Sequence, residues 1–416
     1  MKIHGDWLPE EMRCFRAIED IFRRTCLRHG YGEVRTPVIE KLHWFTGAGI
    51  LSPDLMHKVY TFLDWDGWSG ERVVLRPDNT VPVCRLFSEY YVRAGRARLF
   101  YVEDVFRYDE EQKTGGRHCQ MGVELLGNFP SAHVRDVEVL VLLFDFLREI
   151  NLPGAHLVLS HAGILRAYLK TLKLSREEEE DAFDLLMEGR MQELRKFCAD
   201  RCGLSASGGL SRLLELRGAK ASFLANLKSL GNASPKFTAA VSELGKIAHL
   251  LETLGYSFEI NAGIRKDLTY YTGVMFDVYA GDVLVGGGGR YDNLLEKFTG
   301  GKVGGSGFSL YVEPLMEMVG DVAEASAVPA IRLVVDFERQ DEVAEALKAA
   351  GVLRKKGLSV ALSSKADRGA APPPMGKVGK GKDGYLLIAQ SGRKREKFPL
   401  PLKSLSSLLS FWGVKP

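Results

Sequence analysis

Phe106–Gly127, FRYDEEQKTGGRHCQMGVELLG, is the stretch that decides the fold. It starts at the end of an apolar strand, RLFYVEDVFRY, crosses the polar, glycine-rich loop DEEQKTGG, and returns as a second strand, HCQMGVELLG. Successive side chains on a strand point to opposite faces, so Gln120 and Glu124, four apart, share one face. Arg107 stands at the end of the first strand, where an arginine taken alone reads as a surface residue.

Three more segments gain meaning from this one. RPDNT at Arg76–Thr80 precedes the helical stretch TVPVCRLFSEYYVR, which places Asp78 and Thr80 where helix caps are expected. DLTYYTG at Asp267–Gly273 ends an irregular segment and begins a strand, and its Tyr270-Tyr271 pair taken alone reads as packing. GGGGRYD at Gly286–Asp292 is no phosphate loop, since it has neither the GxxxxGK[ST] pattern nor a βαβ unit around it.

Residues 10–30 carry Met12, Phe15, Ile18, Ile21 and Phe22 at helical spacing. YGEVRTPVIE follows as a strand that Pro37 demotes to an edge or a bulge. VYTFLDWDGWSGERVVLRP predicts a hairpin turning at Asp66-Gly67. Val134–Ile150 is a long helix, LVLSH a short strand, and residues 163–257 are helical almost throughout. Strands return at YSFEINAG, GVMFDVYAG, DVLVGGGGR and GFSLYV, with a helix over 291–298 between the last two. Strands in runs, with helices outside any repeat, predict α+β with a largely antiparallel sheet rather than a doubly wound fold. The domain plan is a core over 1–320 with a helical insertion at about 163–257, a linker over 321–330, and a small α/β domain over 331–416. In that last domain IRLVVDF, a helix and LSVALSS read as βαβ. The low-complexity loop RGAAPPPMGKVGKGKDG interrupts it before YLLIAQ.

Composition places the chain among soluble globular proteins: 45% of its 416 residues are apolar and 26% charged. No run of 18 apolar residues predicts a membrane span, and the N-terminus has no signal-peptide core. Six scattered cysteines make no disulfide framework and fit a reducing cytoplasm. Cys198 and Cys202 lie one helical turn apart without two further ligands nearby, so no metal site is expected. Residues 331–416 hold 17 Lys+Arg against 8 Asp+Glu, a net of +9, and the rest of the chain holds 39 against 45, a net of −6. A basic tail on an acidic body reads either as a nucleic-acid contact or as a solvated surface.

In this order and spacing, the four segments resemble the catalytic core of the histidyl-tRNA synthetases and their non-catalytic paralogues over roughly residues 5–320, and more weakly over the tail. The resemblance implies a class II synthetase-like fold, a degenerate anticodon-binding-like C-terminal domain and a pocket for L-histidine. Carried over by motif, Asp78 and Thr80 take the ammonium and Arg107 the carboxylate. Gln120 lies against the ligand backbone, Glu124 and Tyr271 face the imidazole, and Tyr270 lines the same pocket. Histidine is the ligand implied, with no cofactor.

Three departures bear on activity. RPDNT follows the paralogue pattern RPDxT rather than RPEGT. Lys266, beside Arg265, stands where the synthetases carry the arginine that polarises the reacting carboxylate, and lysine lacks the guanidinium fork. In GFSLYVEPL, Pro314 replaces the arginine that grips ATP; it either starts or breaks the helix there. The loop between Arg107 and Gln120 is one residue shorter than the usual form, with Arg117 still available in it. The leading reading is a regulatory subunit of ATP phosphoribosyltransferase. By resemblance it would have no catalysis of its own, form a homodimer, join a short catalytic subunit in a hetero-oligomer and relay feedback inhibition by histidine. The alternative is an active or divergent histidyl-tRNA synthetase. The leading reading leaves no part for tRNA.

Overall fold

The computed structural model of the chain describes residues 6–47, 53–64, 70–109, 114–187, 190–230, 234–263, 271–319, 330–334, 340–355, 359–363, 375–382, 384–391, 394–400 and 405–412. The chain divides into two compact units, 1–323 and 324–416.

The first unit opens with α1 (Pro9–Arg28), β1 (Gly32–Glu33), β2 (Ile39–Lys41), α2 (Leu42–Gly47), β3 (Thr61–Leu63) and β4 (Arg72–Leu75). Then come α3 (Thr80–Tyr90), the long pair β5 (Arg96–Asp109) and β6 (Thr114–Gly127), α4 (Ala132–Glu149) and β7 (Ala155–His161). The helical insertion holds α5 (Ala162–Thr171), α6 (Arg176–Met187), α7 (Met191–Cys202), α8 (Leu204–Glu215), the short β8 (Arg217–Gly218), α9 (Leu224–Leu230) and α10 (Pro235–Thr253). The unit closes with β9 (Glu259–Asn261), β10 (Val274–Ala280), β11 (Val283–Arg290), α11 (Asp292–Thr299), β12 (Gly304–Tyr311) and α12 (Val312–Val319).

Nine of these strands form one sheet in the order β1-β5-β6-β12-β11-β10-β7-β9-β8. Every pairing from β5 through to β7 is antiparallel, while β1 on β5 and β9 on β7 are parallel. The α+β, largely antiparallel expectation therefore holds. The hairpin β5–β6 runs unbroken from Arg96 opposite Gly127 to Asp109 opposite Thr114. The four glycines of 286–289 lie in β11, paired on both sides inside the sheet.

Alternation gives the sheet two different faces. One is apolar and is covered by α1 and α4: Phe22 packs edge-on at 6.0 Å from Phe100, 5.1 Å from Phe146 and 6.4 Å from Phe308. Burying such rings supplies the main stabilisation of the core. The other face carries Tyr101, Gln120, Gly122, Glu124, Gly305 and Gly307, polar groups among residues without bulk.

Two expectations change. YGEVRTPVIE is not one strand: β1 and β2 flank Val34–Val38, which is not in a strand, and Pro37, with no N–H to give a ladder, lies in that gap. Ile39–Lys41 instead joins β4 and β3 in a separate antiparallel sheet, β2-β4-β3. The expected turn at Asp66-Gly67 falls outside the described residues.

The second unit contains β13 (Ala330–Val334), α13 (Gln340–Arg354), β14 (Ser359–Ser363), β15 (Met375–Gly381), β16 (Gly384–Ser391), β17 (Lys394–Pro399) and α14 (Leu405–Phe411). Its sheet runs β14-β13-β15-β16-β17 around a core that includes Leu333, Ala350, Leu387, Phe398 and Leu408. Here the second expectation changes: MGKVGKG, read as part of a loop, is the central strand β15. Its pairing with β13 and β16 overrides a glycine-rich composition. Among the described residues, no helix is long and apolar enough to cross a membrane.

Candidate functional site: a buried carboxylate on the open face of the sheet

Glu124 lies three residues from the end of β6 and is 1% exposed. Opposite it on β12 is Gly307, where a Cβ would stand 1.9 Å from Glu124 Oε2; only glycine leaves room for the carboxylate to lie flat on the sheet. Tyr291 donates its hydroxyl to Oε2, and Tyr101 donates to Oε1 at 3.5 Å. The Thr80 hydroxyl, from the first turn of α3, adds a third bond. Burial pushes the carboxyl up to about 8; the hydroxyls of Tyr291, Thr80 and Tyr101 pull it down, and the nearby charge of Asp78 pushes it further up. Near neutral pH this group can therefore give or hold a proton towards a ligand.

RPDNT splits into two jobs. Arg76 is structural: buried to 3%, it donates to Thr36 O at 2.8 Å, Asp104 O at 2.7 Å and Glu103 Oε2 at 2.8 Å. That ties the hairpin to the Thr36–Pro37 segment and offsets the cost of burying the charge. Asp78 caps α3, its Oδ1 accepting from Thr80 N–H at 2.8 Å and Val81 N–H at 3.2 Å. Its Oδ2 lies 3.8 Å from Arg107 Nη2. Arg107 also donates through Nε to Pro77 O, while its side chain stays 43% exposed and so within reach of a ligand.

Gln120 shares the face of Glu124, two positions along the alternation. It is 1% exposed, and its Oε1 has no hydrogen-bond partner among the described residues. A buried acceptor left open is costly, as expected where a ligand's donor is to arrive. Tyr271 is buried at the start of the segment leading into β10. Asp78, Thr80, Arg107, Gln120 and Glu124 are thus gathered on one side of the sheet; Tyr270, Lys266 and Arg265 fall outside the described residues.

Tyr101 and Tyr291 hold Glu124, yet the sequence reading passed over both. The register held a clue to Tyr101: it pairs with Gly122, the one small residue between Gln120 and Glu124. Arg117 goes the other way. It sits on the helix-covered face, 4.9 Å over the Trp7 ring and 3.8 Å from Asp104, because its position on β6 has the opposite parity to Gln120. It does not serve the pocket. Pro314 starts its helix rather than breaking it. It is the third residue of α12, in the first turn, where a missing N–H costs nothing, and the preceding Glu313 accepts from Cys119 N–H at 3.0 Å.

The family model for histidyl-tRNA synthetase matches residues 4–315. An ATP phosphoribosyltransferase regulatory subunit of Dehalococcoides mccartyi is 36% identical over 86% of this chain and 86% of its own length. A histidine–tRNA ligase of Methanocaldococcus jannaschii is 31% identical over 86% of this chain and 84% of its own. Among solved structures, one described as an ATP phosphoribosyltransferase regulatory subunit/histidyl-tRNA synthetase from Bacillus halodurans superposes with a TM-score of 0.73 at 26% identity, covering 88% of this chain and 93% of that one. The histidyl-tRNA synthetase of Nostoc sp. PCC 7120 reaches 0.75 at 18% identity over 99% and 98%, a likeness of fold alone. With the two long strands, the glycine-backed carboxylate and these matches in agreement, the chain belongs to the histidyl-tRNA synthetase family, in the broad sense that includes the ATP phosphoribosyltransferase regulatory subunits.

Proposed function

We propose that this chain is a regulatory subunit of ATP phosphoribosyltransferase, which binds L-histidine on the open face of the sheet and does not activate it. Pro314 carries this reading. Groups suited to an amino acid lie on one side of the sheet, while the helix after β12 carries a proline in its first turn where, by resemblance, the synthetases place the arginine that grips ATP. Adenylyl transfer rests on cations around the phosphates, and proline supplies none. The 36% identity to chains bearing the regulatory-subunit name supports the same choice.

In this reading Glu124 meets the imidazole. A protonated carboxyl facing a neutral ring, and a carboxylate facing imidazolium, hold the same single proton between them. Tyr271 and Tyr270 complete the ring's surroundings. Arg107 releases Asp78 to pair with the ligand carboxylate, leaving Asp78 Oδ2 and Thr80 for the ammonium. Gln120 Oε1 accepts from the ligand backbone. No cofactor is needed.

The chain then acts through a partner, a short-form catalytic subunit, in a hetero-oligomer built on a homodimer of this chain. Histidine inhibits by binding the inactive state more tightly, and the active state's substrates must weaken histidine by the same factor. Two assays test this. Mixed with the catalytic subunit, the chain should switch on phosphoribosyl transfer, and histidine should switch it off; Asp78→Ala should still activate but escape inhibition. The chain alone should give no histidine-dependent ATP–pyrophosphate exchange. Exchange at about 1–100 per second would instead support the histidine–tRNA ligase reading, which the M. jannaschii relative keeps in play.

A further inference from the structure

Arg290, in GGGGRYD, lies behind the pocket. Its guanidinium reaches the helix-covered face of the sheet and is 5% exposed there. Nε donates to Asp136 Oδ2 of α4 at 3.2 Å, Nη2 donates to the same oxygen, and Nη1 donates to Glu243 Oε1 of α10 at 2.5 Å. Glu243 Oε2 accepts from His161 Nε2 at 3.1 Å. His161 Nδ1 accepts from Gly163 N–H at 3.0 Å, which leaves the ring proton on Nε2. Asp136 Oδ1 accepts from Ser306 on β12 at 2.6 Å. A cation this deeply buried is tolerable only with such a set of partners.

The backbone around the same residue fixes the neighbours of both pocket tyrosines. Thr272 N–H donates to Arg290 O at 2.7 Å, one residue after Tyr271, and Tyr291 N–H donates to Gly305 O at 2.9 Å. A Cβ at Gly273 would lie 2.8 Å from the guanidinium carbon, so the segment after Tyr271 packs directly on the arginine. The start of the helical insertion is fastened at the same point, Ala162 N–H donating to Gly273 O at 2.9 Å. Arg290 thus joins α4, the Tyr271–Gly273 segment, β12 and the last helix of the insertion, and the next residue along is the tyrosine bonded to Glu124.

We propose that Glu243, acting through Arg290, is a positioning residue for the pocket: the helical insertion holds Tyr291 on Glu124 from behind and so sets how tightly the site binds its ligand. Part of the test rests on the histidine reading above and part does not. In ligand-free protein labelled with 13C-glutamate, the titration midpoint of Glu124 is followed by NMR in wild type, Glu243→Gln, Tyr291→Phe and the double variant. The Tyr291 hydroxyl favours the ionised carboxylate, so loosening it raises the midpoint. Glu243→Gln should shift the midpoint part of the way towards that of Tyr291→Phe, and should add nothing in the double variant. Calorimetry with L-histidine should show affinity falling by about 2- to 30-fold in Glu243→Gln. Glu243→Asp, which restores the charge at shorter reach, should recover part of both effects. An unchanged midpoint in Glu243→Gln, or a shift fully additive with Tyr291→Phe, overturns the proposal. If Glu243→Gln does not fold, the same two measurements on Glu243→Asp decide, and wild-type values there overturn it. A wild type that binds no histidine would remove the proposed function, while the titration would still judge the positioning role.

Discussion

Glu124 on β6 and Glu243 on α10 are two carboxylates of one protein held in opposite conditions. Burial among hydroxyls pushes Glu124 up to about 8. A hydrogen bond from His161, together with the charge of Arg290, holds Glu243 down to about 2 against the pull of its own burial. Glu124 is the deeper of the two, but company matters as much as depth. A carboxylate with a built-in cation is committed to the structure, whereas one that meets only hydroxyls keeps its affinity for a positive or proton-sharing group arriving from outside.

Breaking the committed side should have the largest effect. Arg290→Met leaves Asp136 and Glu243 without their shared cation and should cost about 3–5 kcal/mol of stability. Urea unfolding that showed less than about 1 kcal/mol would mean that solvent or local rearrangement replaces the arginine. Glu124→Gln should do the reverse to stability. The native pKa lies above the unfolded value of about 4.3, so the folded chain binds more protons between about 4.3 and 8. The contribution of Glu124 is fully present below that window and is lost as pH rises through about 8. The glutamine variant should therefore unfold no more easily than wild type at alkaline pH, yet lose about 1.5–3 kcal/mol of histidine binding. Melting far below wild type would make Glu124 a structural residue.

Smaller changes sharpen the contrast. Histidinol lacks the carboxylate assigned to Arg107 and should bind about 1.5–3 kcal/mol more weakly than histidine, and equal affinity by calorimetry would remove that assignment. Histidine affinity should follow a bell between the ligand's ring pKa of about 6.5 and the Glu124 value. Below the bell a proton must leave to bind, and above it one must be taken up; a flat profile from pH 5.5 to 9 would show that no proton is shared. Arg117→Ala, on the far face, should change histidine binding by less than about 0.5 kcal/mol.

Much of this architecture was legible in the sequence, for physical reasons. The hairpin announced itself because apolar runs flanked a polar, glycine-rich loop, and the same-face placement of Gln120 and Glu124 followed from strand periodicity. Arg117, read as part of the loop, belongs to β6, which begins at Thr114, and strand parity then turns it to the face opposite Gln120. Tyr101 and Tyr291 escaped notice because their role depends on glycines across the sheet, a non-local relation. Composition misled at Met375–Gly381, where two partner strands stabilise a segment that propensity would leave as a loop. Pro37 correctly argued against a regular strand, but not that the chain there would divide between two sheets.

The hairpin and β11 lie far apart along the chain, and this bears on how the pocket comes to exist. Asp78, Tyr101, Gln120 and Glu124 leave the ribosome within a short span, but Tyr291 and Gly307 follow only after the whole helical insertion has been made. At about 5–20 residues per second, the first half waits many seconds for the second. A long intervening segment adds little to the entropy of closing the two halves, because that cost grows only logarithmically with length. The backing of Glu124 by Gly307 and Tyr291 is complete only once β12 lies beside β6, so on the proposed reading histidine affinity would report a finished core.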